Sequence, residues 1–160
     1  MHKEALQWIT GLLNDRQIPF LICGGLAAIG YGSTRALNDI DLFVPDEYFD
    51  EVVKAGEDYL SKPAKRYCEQ GWDLEYVQFI YAGVKIEIGR AEGVRILDAK
   101  SREWVSLAVD FSRMQLGTVL DIEVPLMMRD DLLRYKAVLG RPVDLQDIEA
   151  IKASSLKTTN

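Results

Sequence analysis

The chain has 160 residues, 28% of them charged and 48% hydrophobic, with a net charge of −6. That size and balance fit one globular domain with a real core, read here as residues 1–153 followed by a disordered tail over 154–160. The acid excess and dispersed basic residues argue against a surface built for long nucleic acid; no apolar run approaches a membrane span, and Met1-His2-Lys3-Glu4 is no signal peptide.

Lys3 to Arg16 places apolar residues at Ala5, Leu6, Trp8, Ile9, Leu12 and Leu13, a helical period. His2, the only histidine, sits at its start, which nearly excludes a histidine base or a zinc site of the usual kinds. After Pro19, Phe20 to Cys23 reads as an apolar strand running into Gly24-Gly25. Cys23 reads as a small buried hydrophobe, and with Cys68 as the only other cysteine the chain suits a reducing cytoplasm. Leu26 to Tyr31 is a short helix closed by Gly32, and Asp39 to Val44 is a second strand closed by Pro45.

That second strand carries chemistry. Residues i and i+2 of a strand face the same way, roughly 6.5–7 Å apart, so Asp39 and Asp41 share one face while Ile40, Leu42 and Val44 share the other. Two carboxylates so placed can grip metal ions, and two-metal sites hold their ions about 3.5–4 Å apart. The plain alternative is a solvated strand edge. Gly24-Gly25 adds weight to the first reading, because a double glycine between strand and helix lets backbone N–H groups approach a phosphate closely.

Further along, Asp46 reads as the N-cap of a helix reaching about Leu60, and Ser61 to Gly71 as a polar, basic loop. Asp73 to Tyr81, the Ala82-Gly83 turn and Val84 to Ile88 form a hairpin. On its second strand Lys85 and Glu87 share the polar face; Glu87 is either an exposed surface acid or, if this strand lies beside Asp39–Val44, a third carboxylate next to Asp41. Ser101 to Ala108 is read as helix and Thr118 to Leu126 as strand. Arg129 to Leu139 is helical, Gly140-Arg141-Pro142 breaks it, and a second helix covers about Val143 to Ala153. Around that break, dipole logic alone explains Lys136, Arg141, Asp144 and Asp147.

Thirteen residues separate Gly25 from Asp39. An apolar residue, Gly-Gly, such a spacer, then Asp-apolar-Asp-apolar resembles the signature of the DNA polymerase β-like nucleotidyltransferase superfamily, with the spacer at the long end of its range. The stretch Lys136 … Arg141-Pro142-Val143-Asp144-Leu145-Gln146-Asp147 is similar to an element of abortive-infection-type nucleotidyltransferase toxins and their small relatives. The resemblance implies an α/β (α+β) fold: a small mixed, twisted sheet flanked by helices, with a C-terminal helical pair.

It also implies an activity, the Mg²⁺- or Mn²⁺-dependent transfer of a nucleoside monophosphate from a nucleoside triphosphate such as ATP to a hydroxyl acceptor, with loss of pyrophosphate. Asp39, Asp41 and Glu87 would be the catalytic, metal-holding acids, although relatives carry Asp where this chain has Glu87. Gly24, Gly25, Ser33, Arg35, Lys136 and Asp147 would handle the nucleotide. The acceptor, whether protein, tRNA end or small molecule, does not follow. A non-catalytic nucleotide sensor, or an antitoxin-like module with a small protein partner, would fit the same resemblance.

Overall fold

The computed structural model describes residues 1–158, with side chains through 154. Helix α1 (His2–Asp15) buries Ala5, Leu6, Ile9, Leu12 and Leu13, the stripe its period specifies. Strand β1 (Leu21–Cys23) is wholly buried and turns into helix α2 (Gly24–Gly30). A loop leads to strand β2 (Ile40–Val44), which leaves Asp39 at its entrance. Helix α3 (Asp46–Ala55) and a single 3-10 turn (Glu57–Tyr59) precede three strands: β3 (Leu60–Glu69), β4 (Trp72–Tyr81) and β5 (Val84–Arg90). Then come β6 (Arg95–Leu97), β7 (Trp104–Ser106), β8 (Met114–Val119) and β9 (Ile122–Met127), and finally helices α4 (Arg129–Leu139) and α5 (Pro142–Thr158).

All nine strands join one mixed sheet. Its body runs β3-β4-β5-β2-β1-β9-β8, with β2–β5 and β1–β9 parallel and the other neighbours antiparallel. Strand β3 takes one edge of Trp72 and Asp73, so β6 pairs with the same two residues on the edge that β5 uses further along. Three of the hairpins close on two residues of positive φ, Gln70-Gly71, Ala82-Gly83 and Leu120-Asp121, the turn whose twist matches that of the strands it joins. A single apolar core draws on residues from Ala5 to Ile151.

Several elements differ from the sequence expectation. Residues 61–71 are not a loop: β3 is a ten-residue strand, mostly exposed because it has a neighbour on one side only. Edge strands tolerate charge on both faces, and Pro63 falls where the register shifts, so its missing N–H removes no ladder bond. Helix α3 stops at Ala55 rather than near Leu60; Gly56 caps it, at a place where a Cβ would lie 2.5 Å from the Phe79 ring. Pro45, not Asp46, is its N-cap; Asp46 accepts the Glu92 N–H at 3.0 Å and tethers the helix to the end of β5. The expected helix over 101–108 is β7, paired with β6, and the expected strand over 118–126 is the β8–β9 hairpin. Helix α5 runs beyond Ser154 into the tail expected to be disordered; residues 159 and 160 lie outside the described residues.

Candidate active site

One row of side chains crosses the sheet in register: Cys23 on β1, Asp41 on β2, Glu87 on β5, Gln78 on β4 and Lys62 on β3. Parallel pairing of β2 with β5 makes Asp41 and Glu87 direct neighbours, within hydrogen-bond reach of each other. Asp39 stands two residues before Asp41 at the strand entrance. Burial, then the charges of Glu87 and Asp39, push the Asp41 carboxyl up to about 8. Burial and Asp39 likewise raise Glu87. Burial followed by Asp41 lifts the Cys23 thiol well above its usual range, as expected of an inert core cysteine.

The acids crowd one another without a cation of their own. Among the described residues no three His, Cys, Asp or Glu side chains form a ready-made metal cage; Asp41 and Glu87 approach each other instead. The donor set is all carboxylate oxygen, the chemistry that suits Mg²⁺ or Mn²⁺ and not a soft metal. Raised carboxyl groups at one spot mark a deficit of positive charge, and a hard divalent cation would relieve it. The residues present therefore fit such an ion.

Gly24 has φ +62, and a Cβ there would lie 2.5 Å from Asp41 Oδ2, so the first glycine makes room for a carboxylate. Its N–H donates to the Tyr135 hydroxyl at 2.8 Å. A Cβ on Gly25 would lie 2.5 Å from Arg35 Nη2, so the second glycine makes room for a guanidinium. The phosphate-facing positions expected at this turn thus already meet Tyr135 and Arg35. Ser33 is buried behind the loop, its Oγ near the Arg35 N–H at 3.5 Å, and does not line the cleft.

On the far side lies a cluster of ion pairs. Asp147 accepts from Arg35 Nε at 2.6 Å and Nη2 at 3.1 Å, and from Lys136 Nζ at 3.0 Å. Asp144 accepts from Arg141 Nε at 2.6 Å and Nη2 at 3.0 Å and lies 3.8 Å from Lys136. Both aspartates are fully buried and the Lys136 side chain is 3% exposed. Burial alone would raise Asp147, but Arg35 and Lys136 overcome it and hold the carboxyl below its usual range. Lys136 is therefore not an exposed balance for the end of its helix; Gly140, left-handed at φ +57, ends α4.

Between the acidic row and this cluster opens a cleft of about 440 Å³. Gly24, Gly25, Asp39, Asp41, Glu87, Arg35 and Lys136 all line it, whereas Asp147 supports Arg35 and Lys136 from behind. Sequence reasoning missed Tyr135, Trp72, Tyr76, Gln78, Lys62 and Glu69, which line the same space. Gln78 and Tyr76 share one face of β4, but nothing local in the sequence marks that face as the site. Tyr135 reads in sequence as one more buried position of a helix.

No family model matches the sequence, and no curated protein sequence matches it. Solved structures do. A Thermotoga maritima protein described as a candidate nucleotidyltransferase superposes with a TM-score of 0.69 at 18% identity, over 97% of this chain and 89% of that one. The lincosamide antibiotic adenylyltransferase LnuA, solved with lincomycin, gives 0.65 at 14% identity, covering 94% and 96%. ANT(2″)-Ia, solved with adenylyl-2″-tobramycin, gives 0.61 at 16% identity, covering 98% and 89%. This chain has the nucleotidyltransferase fold, as its glycine-and-acid signature implied.

Proposed function

We propose that the chain is a metal-dependent nucleotidyltransferase, moving a nucleoside monophosphate from a nucleoside triphosphate to a hydroxyl acceptor. The observation that carries this is the in-register pair Asp41–Glu87 on parallel strands, with Asp39 beside it, facing a cleft whose other wall is Gly24-Gly25 and a cationic cluster. No helix among the described residues is long and apolar enough to cross a membrane.

Asp39 and Asp41 would hold Mg²⁺ or Mn²⁺, with Glu87 completing the set on the acceptor side. Bound there, the ions would supply positive charge to the phosphoryl oxygens and favour ionisation of the acceptor hydroxyl. Glu87 would take the acceptor's proton. The acceptor oxygen would bond to the α-phosphorus, the α–β bridging P–O bond would break, and pyrophosphate would leave with that electron pair. Arg35 and Lys136, steered by Asp147, would meet the triphosphate charge.

Titration calorimetry with ATP, GTP, CTP and UTP, with and without Mg²⁺, tests the reading. At least one nucleotide should bind in a Mg²⁺-dependent way that the Asp39→Asn, Asp41→Asn double variant loses. Binding equally tight in EDTA, or in the double variant, would sink it.

A further inference from the structure

Beyond Glu87 the cleft continues onto a wall whose side chains are already tied to one another. Gln78 is the register partner of Glu87, and Lys62 that of Gln78. Neighbouring strands lie about 4.8 Å apart, so Lys62 stands roughly 10 Å from Glu87. Gln78 is 4% exposed and donates from Nε2 to Ser61 Oγ at 2.9 Å. Tyr76 is 5% exposed; its hydroxyl donates to Glu69 Oε1 at 2.6 Å and accepts from Lys62 Nζ at 3.0 Å. Lys62 and Glu69 also pair directly at 3.5 Å. Burial, with the Glu69 contact, raises the Tyr76 hydroxyl to about 12, so it stays protonated.

We propose that this wall, Gln78, Tyr76, Glu69 and Lys62, is the acceptor subsite, and that it takes an uncharged, hydroxyl-rich small molecule of the polyol or saccharide kind. The inference rests on the nucleotidyltransferase reading above. Position supports it: β1 with its glycines flanks the Asp41 row on one side and β4 with β3 on the other. In-line displacement needs the attacking oxygen and the leaving group on opposite sides of the reacting phosphorus.

Charge narrows the acceptor class. Lys62 and Glu69 cancel within the wall, so neither a polycation nor a polyanion finds an uncompensated partner there. What remains is a fixed array of donors and acceptors beside the half-buried ring of Trp72. A sugar or polyol hydroxyl can both donate and accept, and its C–H face packs on aromatic rings.

The test measures pyrophosphate release by the full chain with all four nucleoside triphosphates and Mg²⁺. Methyl α-D-glucopyranoside and myo-inositol serve as neutral probes, against kanamycin, a serine peptide and bulk tRNA. Neutral probes should raise release above the water background. Tyr76→Phe and Lys62→Met should each raise the KM of the stimulating probe about tenfold, the loss of one hydrogen bond to a charged or buried group. Their nucleotide affinity should stay within about twofold and their melting temperatures close to the parent, which shows that they fold. Stimulation only by kanamycin, peptide or tRNA, no stimulation by either neutral probe, or an unchanged KM in both variants would overturn the proposal. Absence of Mg²⁺-dependent nucleotide binding in the parent protein would instead strike the underlying reading and take the acceptor wall with it.

Discussion

The acidic row of Asp39, Asp41 and Glu87 and the cluster beneath α4 and α5 face one cleft but handle charge in opposite ways. The row collects carboxylates of like sign on adjacent strands, and burial together with mutual repulsion raises Asp41 and Glu87. In the cluster Arg35, Lys136 and Arg141 alternate with Asp144 and Asp147, and Asp147 is lowered. A buried group of like charges destabilises the empty protein and is explained by a ligand of opposite charge. A buried set of opposite charges, here three cations on two carboxylates, is explained first by its own members, and joins the loop after α2 to both C-terminal helices. The row is the better marker of function and the cluster the better marker of architecture.

The largest expected effect attacks the row. Glu87→Gln keeps the size and removes the charge that would take the acceptor's proton. Turnover should fall by roughly 10²–10⁴-fold, the usual worth of a general base, while nucleotide affinity changes little. Single-turnover pyrophosphate release checks this. Full activity in the Gln variant would leave the row with two working acids and take Glu87 out of the chemistry.

The cluster should answer in stability. Asp147→Ala removes the carboxylate shared by Arg35 and Lys136 and strands the buried Lys136 beside Asp144 alone. Breaking a buried pair on one side costs about 3–5 kcal/mol, read as a lowered urea midpoint. A cost below about 1 kcal/mol would mean that the cluster is as dispensable as a surface ion pair.

These two regions were not equally legible in the sequence. The row was, because alternation in a strand fixes which side chains share a face: Lys85 and Glu87 are an in-strand pair, and Asp39 stands at the entrance of the strand that carries Asp41. Only the pairing of β2 with β5 was left to three dimensions. The cluster was half legible: Lys136, Asp144 and Asp147 lie close in the sequence, but Arg35 meets Asp147 across 112 positions. Charges that look like helix-end balance in one dimension become buried partners once a distant loop arrives. The β3 wall was missed for a different reason, since an edge strand exposed on both faces carries the composition of a loop.

Lys136 belongs to the cluster by contact and to the cleft by position, so it sharpens the comparison. Lys136→Met leaves Asp147 with Arg35 and Asp144 with Arg141, so folding should survive. If the lysine also meets the triphosphate, one lost charge-assisted hydrogen bond should weaken nucleotide binding by about 1.5–3 kcal/mol. An unchanged affinity in calorimetry would assign the lysine wholly to the cluster.

The smallest effect carries the clearest sign. The folded-state pKa of Asp41 is raised from 3.8 to about 8. Between those values the folded chain keeps a proton that the unfolded chain has released, so this group makes the metal-free protein less stable as pH rises through the window. Asp147 works the other way: its lowered carboxyl contributes stability above its ordinary value, and that contribution is lost only as pH falls below it. Asp41→Asn fixes the neutral form. In EDTA it should therefore raise the melting temperature, and by more at pH 8 than at pH 5, because the penalty on the parent grows with each step of pH through the window. Added Mg²⁺ should reverse the order at pH 8, stabilising the parent protein and not the variant. An Asn variant that melts below the parent at pH 8 in EDTA would show that the Asp41 carboxylate is held by its surroundings as comfortably as Asp147 is, and the contrast between the two regions would be lost.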